Sequence, residues 1–170
     1  MFYASLVPLT PFHFGPSALV GLPLGKRVDL PAFLLANVVI DLEPAAAIFF
    51  NAPIAVHGPL HSWTVGPIVG ALWGWLAFQL RPHFSPLMRR LRLPCAPTLA
   101  VSVISGALGF AFHVLLDAFM HADLKLFWPM MYNPLLHRVS STDVYRFSAL
   151  AFLPALLIYS VIAVRRRSKL

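Results

Sequence analysis

Charge is what this chain has least of. Only 11% of its 170 residues are Asp, Glu, Lys or Arg, against about 25% in an ordinary soluble domain. Too little polar surface remains to cover a water-facing globule, which excludes a soluble cytosolic domain. Cysteine is nearly absent. The single Cys95 excludes a disulfide framework within the chain and any cysteine-rich zinc module. A basic leader is missing too: Met1 to Pro11 carries no Lys or Arg and is broken by proline, so no cleavable signal is expected. No repeat or low-complexity tract stands out. Disorder is excluded by what is abundant, since 59% of the residues are hydrophobic and the mean hydropathy is +0.76. The composition describes one integral membrane domain, residues 1–170.

A spanning helix needs ~20 mainly apolar residues at ~1.5 Å each to cross a hydrocarbon core of ~30 Å. Leu30 to Phe50 has the length, although Asp41, Glu43 and Pro44 interrupt it. Thr64 to Leu80 is shorter and free of charge, Thr98 to Met120 contains His113 and Asp117, and Phe147 to Val164 stops at Arg165-Arg166-Arg167. Phe12 to Leu24 is apolar but short and rich in Gly and Pro, which suggests a re-entrant or interfacial helix. The expected fold is an all-α membrane bundle of about four spanning helices plus that N-terminal helix. Pro44 lacks an N–H, leaves the carbonyl of Ile40 without its helical donor, and is expected to bend the first span.

The thirteen Lys and Arg set the orientation. Lys26, Arg27, Arg81, Arg89, Arg90, Arg92, Arg165, Arg166, Arg167 and Lys169 fall on one side of that topology. Lys125, Arg138 and Arg146 fall on the other, and the positive-inside rule then places both termini in the cytoplasm. The net charge of +7 is therefore read as topology and headgroup anchoring, with no nucleic-acid partner expected.

Ionisable groups inside a membrane are costly and usually functional. Asp41 and Glu43 lie past the middle of the first span, His57 and His61 in the loop that follows, and His113, Asp117 and His121 in the outer half of the third span. With His13, eight potential ligands gather at the non-cytoplasmic end. His113, Asp117 and His121 are four apart and so share a helix face, with ~6 Å of rise between neighbours. Gly58 and Pro59 favour a turn for His57 and His61. Imidazole and carboxylate are the donor set of zinc, or of manganese or iron where oxygen predominates. Eight candidates exceed one ion's needs and suggest two ions, or one ion with acid–base and supporting groups. Glu43 and His121 are the candidates for proton transfer. His83 and His137 read as ordinary hydrogen-bonding histidines, Trp73 and Trp75 as an aromatic belt, and Ser62 as a supporting hydroxyl.

The blocks Val39-Ile40-Asp41-Leu42-Glu43-Pro44, His57-Gly58-Pro59-Leu60-His61-Ser62 and His113-Val114-Leu115-Leu116-Asp117, followed by Trp128-Pro129, resemble the YdjM-like family of inner-membrane-associated metal-dependent hydrolases. The order and approximate intervals match from His13 to Pro129. Glu43 stands where that family has a second Asp. The second block is one residue shorter, lacks an Arg and carries Pro59. The His-three-Asp helix is also similar to that of zinc-dependent phospholipases C and single-strand nucleases. The resemblance implies a multi-helix protein of the inner membrane that hydrolyses an ester or phosphoester, a lipid being the natural substrate for a site at headgroup level. The alternative is a non-enzymatic protein that binds or moves metal ions or protons. Transport would need a polar path through the inner half of the bundle, where spans two and three offer only Gln79, Thr98, Ser102 and Ser105.

Overall fold

The computed structural model describes residues 11–94 and 98–167; Cys95, Lys169 and the leader reading of residues 1–10 lie outside them. The described residues are all-helical, without strands: α1 Pro11–Leu24, α2 Leu30–Ile40, α3 Leu42–Phe49, α4 Gly66–Gln79, α5 Arg81–Arg90, α6 Leu99–Ala118, α7 Ser141–Leu150 and α8 Phe152–Arg167, with a 3-10 turn at Gly25–Arg27. Three stretches are long and apolar enough to cross a membrane: Leu30–Phe49, Leu99–Ala118 and Ser141–Arg167. The first is α2 and α3 together, interrupted at Asp41 (φ −69°, ψ −6°), one turn before Pro44 as the missing N–H requires. The third joins α7 and α8 through Ala151. The helix expected over Thr64 to Leu80 is α4, whose 14 residues rise only ~21 Å.

Small residues bring α4 and α6 together. Gly66, Gly70 and Gly74 repeat every fourth residue, so they line one helix face. A Cβ at Gly70 would lie 2.5 Å from the carbonyl of Gly106, one at Gly66 3.8 Å from Val114, and one at Gly74 would overlap the carbonyl of Ser102. This is the small-residue packing by which membrane helices approach without a hydrophobic driving force between them. The register makes α4 antiparallel to α6. α2 runs with α6 instead: Asp29 N–H donates to Ser105 Oγ at 2.9 Å near one end, and Asn37 meets His113 near the other. Trp73 turns inward rather than to the membrane interface, its Nε1–H donating to the carbonyl of Ala32 at 2.8 Å and tying α4 to α2.

α1 crosses the bundle alongside α2, not flat across its end. Ser17 pairs with Asn37, and a Cβ on Gly21 would touch Leu30 and Phe33. α8 follows α1 in the same direction, a Cβ on Gly15 meeting the carbonyl of Ser148 and the ring of Phe152. His13 therefore stands at the end that holds Asp117, and Lys26 at the opposite end. The core between the ends is Ala36, Ile40, Phe110 and Val114, all fully buried.

Candidate metal centre

Five of the seven histidines and four of the six acids meet at one end of this bundle. α6 supplies His113 and Asp117 on one face; the break at Asp41 and the first turn of α3 supply Asp41 and Glu43; the turn at residues 57–61 supplies His57 and His61. α1 adds His13. His121 lies just past the end of α6, in a turn closed by its own N–H on the carbonyl of Asp117 at 3.0 Å. The regular helix face expected for 113, 117 and 121 thus holds for the first two only. His83 and His137 are exposed and take no part.

Asp41, His61, His113 and Asp117 each bring one donor atom to within 4.8 Å of the others. His113 Nε2 lies 3.0 Å from Asp117 Oδ2 and 3.2 Å from Asp41 Oδ1; His61 Nε2 lies 3.8 Å and 3.9 Å from Asp41 Oδ1 and Asp117 Oδ2. Ligands bound tetrahedrally to zinc at ~2.0–2.1 Å stand about 3.3–3.4 Å from one another. The four separations bracket that value, and the two longer ones exceed a hydrogen bond. His57, His121 and the same Asp117 make a second group of three. His121 Nε2 lies 3.9 Å from Asp117 Oδ1. One carboxylate thus faces both groups, Oδ2 towards the first and Oδ1 towards the second.

The imidazoles are held from behind. His61 Nδ1 lies 2.8 Å from Glu43 Oε2, His57 Nδ1 2.9 Å from Asp123 Oδ2, and His113 Nδ1 3.3 Å from Asn37 Oδ1. At His61 the acceptor favours the Nδ1–H tautomer and leaves the Nε2 lone pair towards Asp41 and Asp117, the arrangement typical of metal-ligating histidines. His113 Nε2 instead donates to Asp117 Oδ2 at 3.0 Å, a proton that a bound cation would displace. Asn37 is fixed in turn by Ser17 and by the carbonyl of Leu34. Meanwhile the buried atoms His61 Nε2, His121 Nε2, Asp117 Oδ1 and His13 Nδ1 have no hydrogen-bond partner of acceptable geometry. Asp117 Oδ1 does lie 3.1 Å from His13 Nε2, but the angle is too poor for a hydrogen bond. Unmatched buried polar atoms carry a desolvation penalty unless another group satisfies them. The donor set and the orphaned atoms fit a divalent cation.

Glu43 stands outside both ligand groups. Its oxygens accept the N–H groups of Gly58, Leu60 and His61 as well as His61 Nδ1. It therefore organises the whole turn. Gly58 permits this, since a Cβ there would lie 2.5 Å from Glu43 Oε1. Ser62 supports the turn, not the ligands: its Oγ donates to the carbonyl of Pro59 at 2.6 Å and accepts from Val65 N–H at 3.1 Å. His13 stacks on His113 with centroids 4.2 Å apart, and His57 on His121 at 4.1 Å. Burial pushes the His61 imidazole down in pKa, but Asp41 and Glu43 outweigh that and hold it above its ordinary value. Burial keeps His121 below its ordinary value. Burial raises Asp123, yet the hydrogen bond from His57 wins and brings the carboxyl to about 2.

Asn37 and Asp123 escape a reading of the sequence that looks for ligands. Asn37 had a signal: it precedes Asp41 by one turn in an apolar span. Asp123 had only its place two residues beyond His121. What fold and site together define is a helical protein of membrane-spanning character with a buried His/Asp cluster able to hold metal. No family model, curated protein or solved structure matches the chain.

Proposed function

We propose that this protein is a membrane-embedded metal-dependent hydrolase, of the kind its resemblance to the YdjM-like family implies. The observation that supports this best is that His61 and His113, each engaged at Nδ1 from behind, turn Nε2 towards the two carboxylates they share, Asp41 and Asp117. Asp41, His61, His113 and Asp117 would hold one divalent ion, zinc by donor type, and His57, His121 and Asp117 would hold a second. The chemistry such an ion would supply is a water acidic enough to lose its proton near pH 7. Glu43 keeps the His61 turn in register. When the first ion alone is held, His121, whose Nε2 has no hydrogen-bond partner, is the group placed to take that proton and return it to the leaving group. Of the residues in the two ligand groups, Asp41 and His121 have side chains 19% and 14% exposed, and they mark the side from which substrate arrives.

In this reading α4 is a short fourth pass, since it lies against α6 from Ser102 to Val114. The ends of α1, α5 and α8 that carry the Lys and Arg clusters face the cytoplasm, and the metal end faces outward. At that metal end Phe49, Phe50 and Met131 are 75%, 81% and 83% exposed. Such side chains suit the headgroup–acyl boundary, and an ester or phosphoester of a membrane lipid is the substrate class proposed. Chain purified in neutral detergent without added metal should carry one to two zinc ions by elemental analysis. It should hydrolyse short-chain phospholipid or carboxylic ester substrates, with loss on chelation and recovery with zinc. A metal-free protein that takes up no divalent ion when titrated would overturn the proposal.

A further inference from the structure

The opposite end of the bundle carries a second feature, independent of the metal reading. A groove of about 1120 Å³ opens between the end of α1, the end of α5 and the face of α8. Lys26, Arg89, Arg92, Arg165 and Arg166 line it. They come from three segments distant in sequence, and among the described residues no acidic side chain lines the groove. Its wall along α8 is apolar: Leu157, Ile158, Val161 and Ile162 recur at the spacing of one helix face and lead directly to Arg165 and Arg166. Leu22 and Pro23 of α1 stand opposite. Leu157 and Val161 remain 66% and 42% exposed.

A solvated basic face would not need an apolar wall, and a purely apolar helix contact would not need five cations. The combination matches an amphiphile with an anionic head. We propose that this groove seats one anionic phospholipid, its phosphate among Lys26, Arg89, Arg92 and Arg166 and one acyl chain along Leu157, Ile158 and Val161. Arginine forks suit phosphate oxygens, and basic pockets between membrane helices are the recognised form of anionic-headgroup sites.

The test uses the full chain in neutral detergent and native mass spectrometry, with phosphatidylglycerol and phosphatidylcholine of equal chain length as probes. One variant removes three groove charges (Arg89→Gln, Arg92→Gln, Arg166→Gln). A matched variant removes three exposed basic residues that do not line the groove (Arg27→Gln, Arg90→Gln, Arg167→Gln). The wild type should retain one phosphatidylglycerol and release phosphatidylcholine. The groove variant should bind phosphatidylglycerol at least about tenfold more weakly, following the weight of each basic group near an anionic lipid, and the matched variant should bind like wild type. Val161→Trp fills the groove without altering charge and should also lose the lipid. Unchanged helicity and melting temperature establish that each variant is folded. Equal losses in both charge variants would reduce the effect to diffuse electrostatics and overturn the proposal. So would retention by Val161→Trp, or displacement of the lipid by millimolar inorganic phosphate or by a short oligonucleotide, each of which would show that the head alone is read.

Discussion

Replacing Asp117 with Asn tests the metal centre most sharply, because one carboxylate serves both ligand groups. The substitution keeps size and shape and removes the charge. In the structure Asp117 Oδ2 lies 3.0 Å from His113 Nε2, and Oδ1 faces His13 at 3.1 Å and His121 at 3.9 Å. If the cluster is only a hydrogen-bonded knot, the substituted side chain still offers one carbonyl oxygen and one amide nitrogen. The cost is then that of a weakened charge-assisted pair, about 1.5–3 kcal/mol of stability, with no change in metal. If the cluster holds ions, the variant loses a ligand common to both, and a divalent cation in a poorly solvated site loses a compensating negative charge. Groups that merely hold a ligand from behind cost ~10–100-fold in affinity when removed, so the loss here should exceed ~100-fold. Elemental analysis of protein purified without chelator, followed by competition against a chromophoric zinc chelator, measures it. His57→Gln, which touches the second group alone, should leave the first ion bound. Full metal content in Asp117→Asn together with loss in His57→Gln would refute this reasoning and move the primary site to the turn.

Glu43→Gln should weaken zinc binding by ~10–100-fold without abolishing it, because Glu43 acts on the metal only through His61 and its turn; the same chelator competition reads it. Gly106→Ala should lower the melting temperature by roughly 3–10 °C, on the basis of a ~1–3 kcal/mol overpacking cost. The added Cβ would lie 2.6 Å from Gly74 N, where backbone meets backbone and nothing can give way; thermal unfolding in detergent checks it. Chelation should lower the melting temperature and zinc should restore it, by about 2.7 kcal/mol at a hundred times the dissociation constant. A fluorescent protein fused after Leu170 should be bright and a phosphatase fused there inactive, as expected of a cytoplasmic C-terminus.

Much of the site was legible because membrane chemistry makes it so. In a chain with six acids, a carboxylate inside an apolar span is a signal by itself, and Asp41, Glu43, His113 and Asp117 all end within one cluster. The rule that proline removes a helical donor also anticipated a bend in the first span, which the structure puts at Asp41. What remained hidden depended on rotation and on partners. Nothing in the spacing of His57 and Asp123 says they meet, since 66 residues and three helices separate them. Glu43 and Asp41, two apart, look equivalent in sequence, yet opposite sides of the helix break send Asp41 towards the ligand atoms and Glu43 behind His61. α4 was legible as a helix, but the three glycines that set its closeness to α6 read in one dimension as weak helix formers. α1 crosses the bundle because Gly15 and Gly21 let α8 and α2 approach, a fit that length and hydropathy do not register.

The same packing bears on whether a bound ion stays or moves. The structure gathers buried polar groups at both ends: Asn37 and Ser17 beside His113, and Asp29 with Ser102 and Ser105 at the far end. Ser102 Oγ donates to the Asp29 carboxylate, and Asp29 N–H donates to Ser105, so that far group is closed on itself. Between the two lie Phe33, Ala36 and Phe110, at most 4% exposed, with Gly109 so close to α2 that a Cβ on it would lie 2.5 Å from that of Ala36. A cation conducted between α2 and α6 would have to cross Phe33, Ala36 and Phe110, which offer it no polar side chain, a cost of the order that keeps charges out of apolar interiors. Opening the layer would require α2 and α6 to separate along the seam where Gly109 holds them together. The polar groups at the two ends therefore serve different tasks: the far set locks α2 to α6, and the near set orients His113. That division supports the proposal of an ion held for chemistry at one end of the bundle over an ion carried through it.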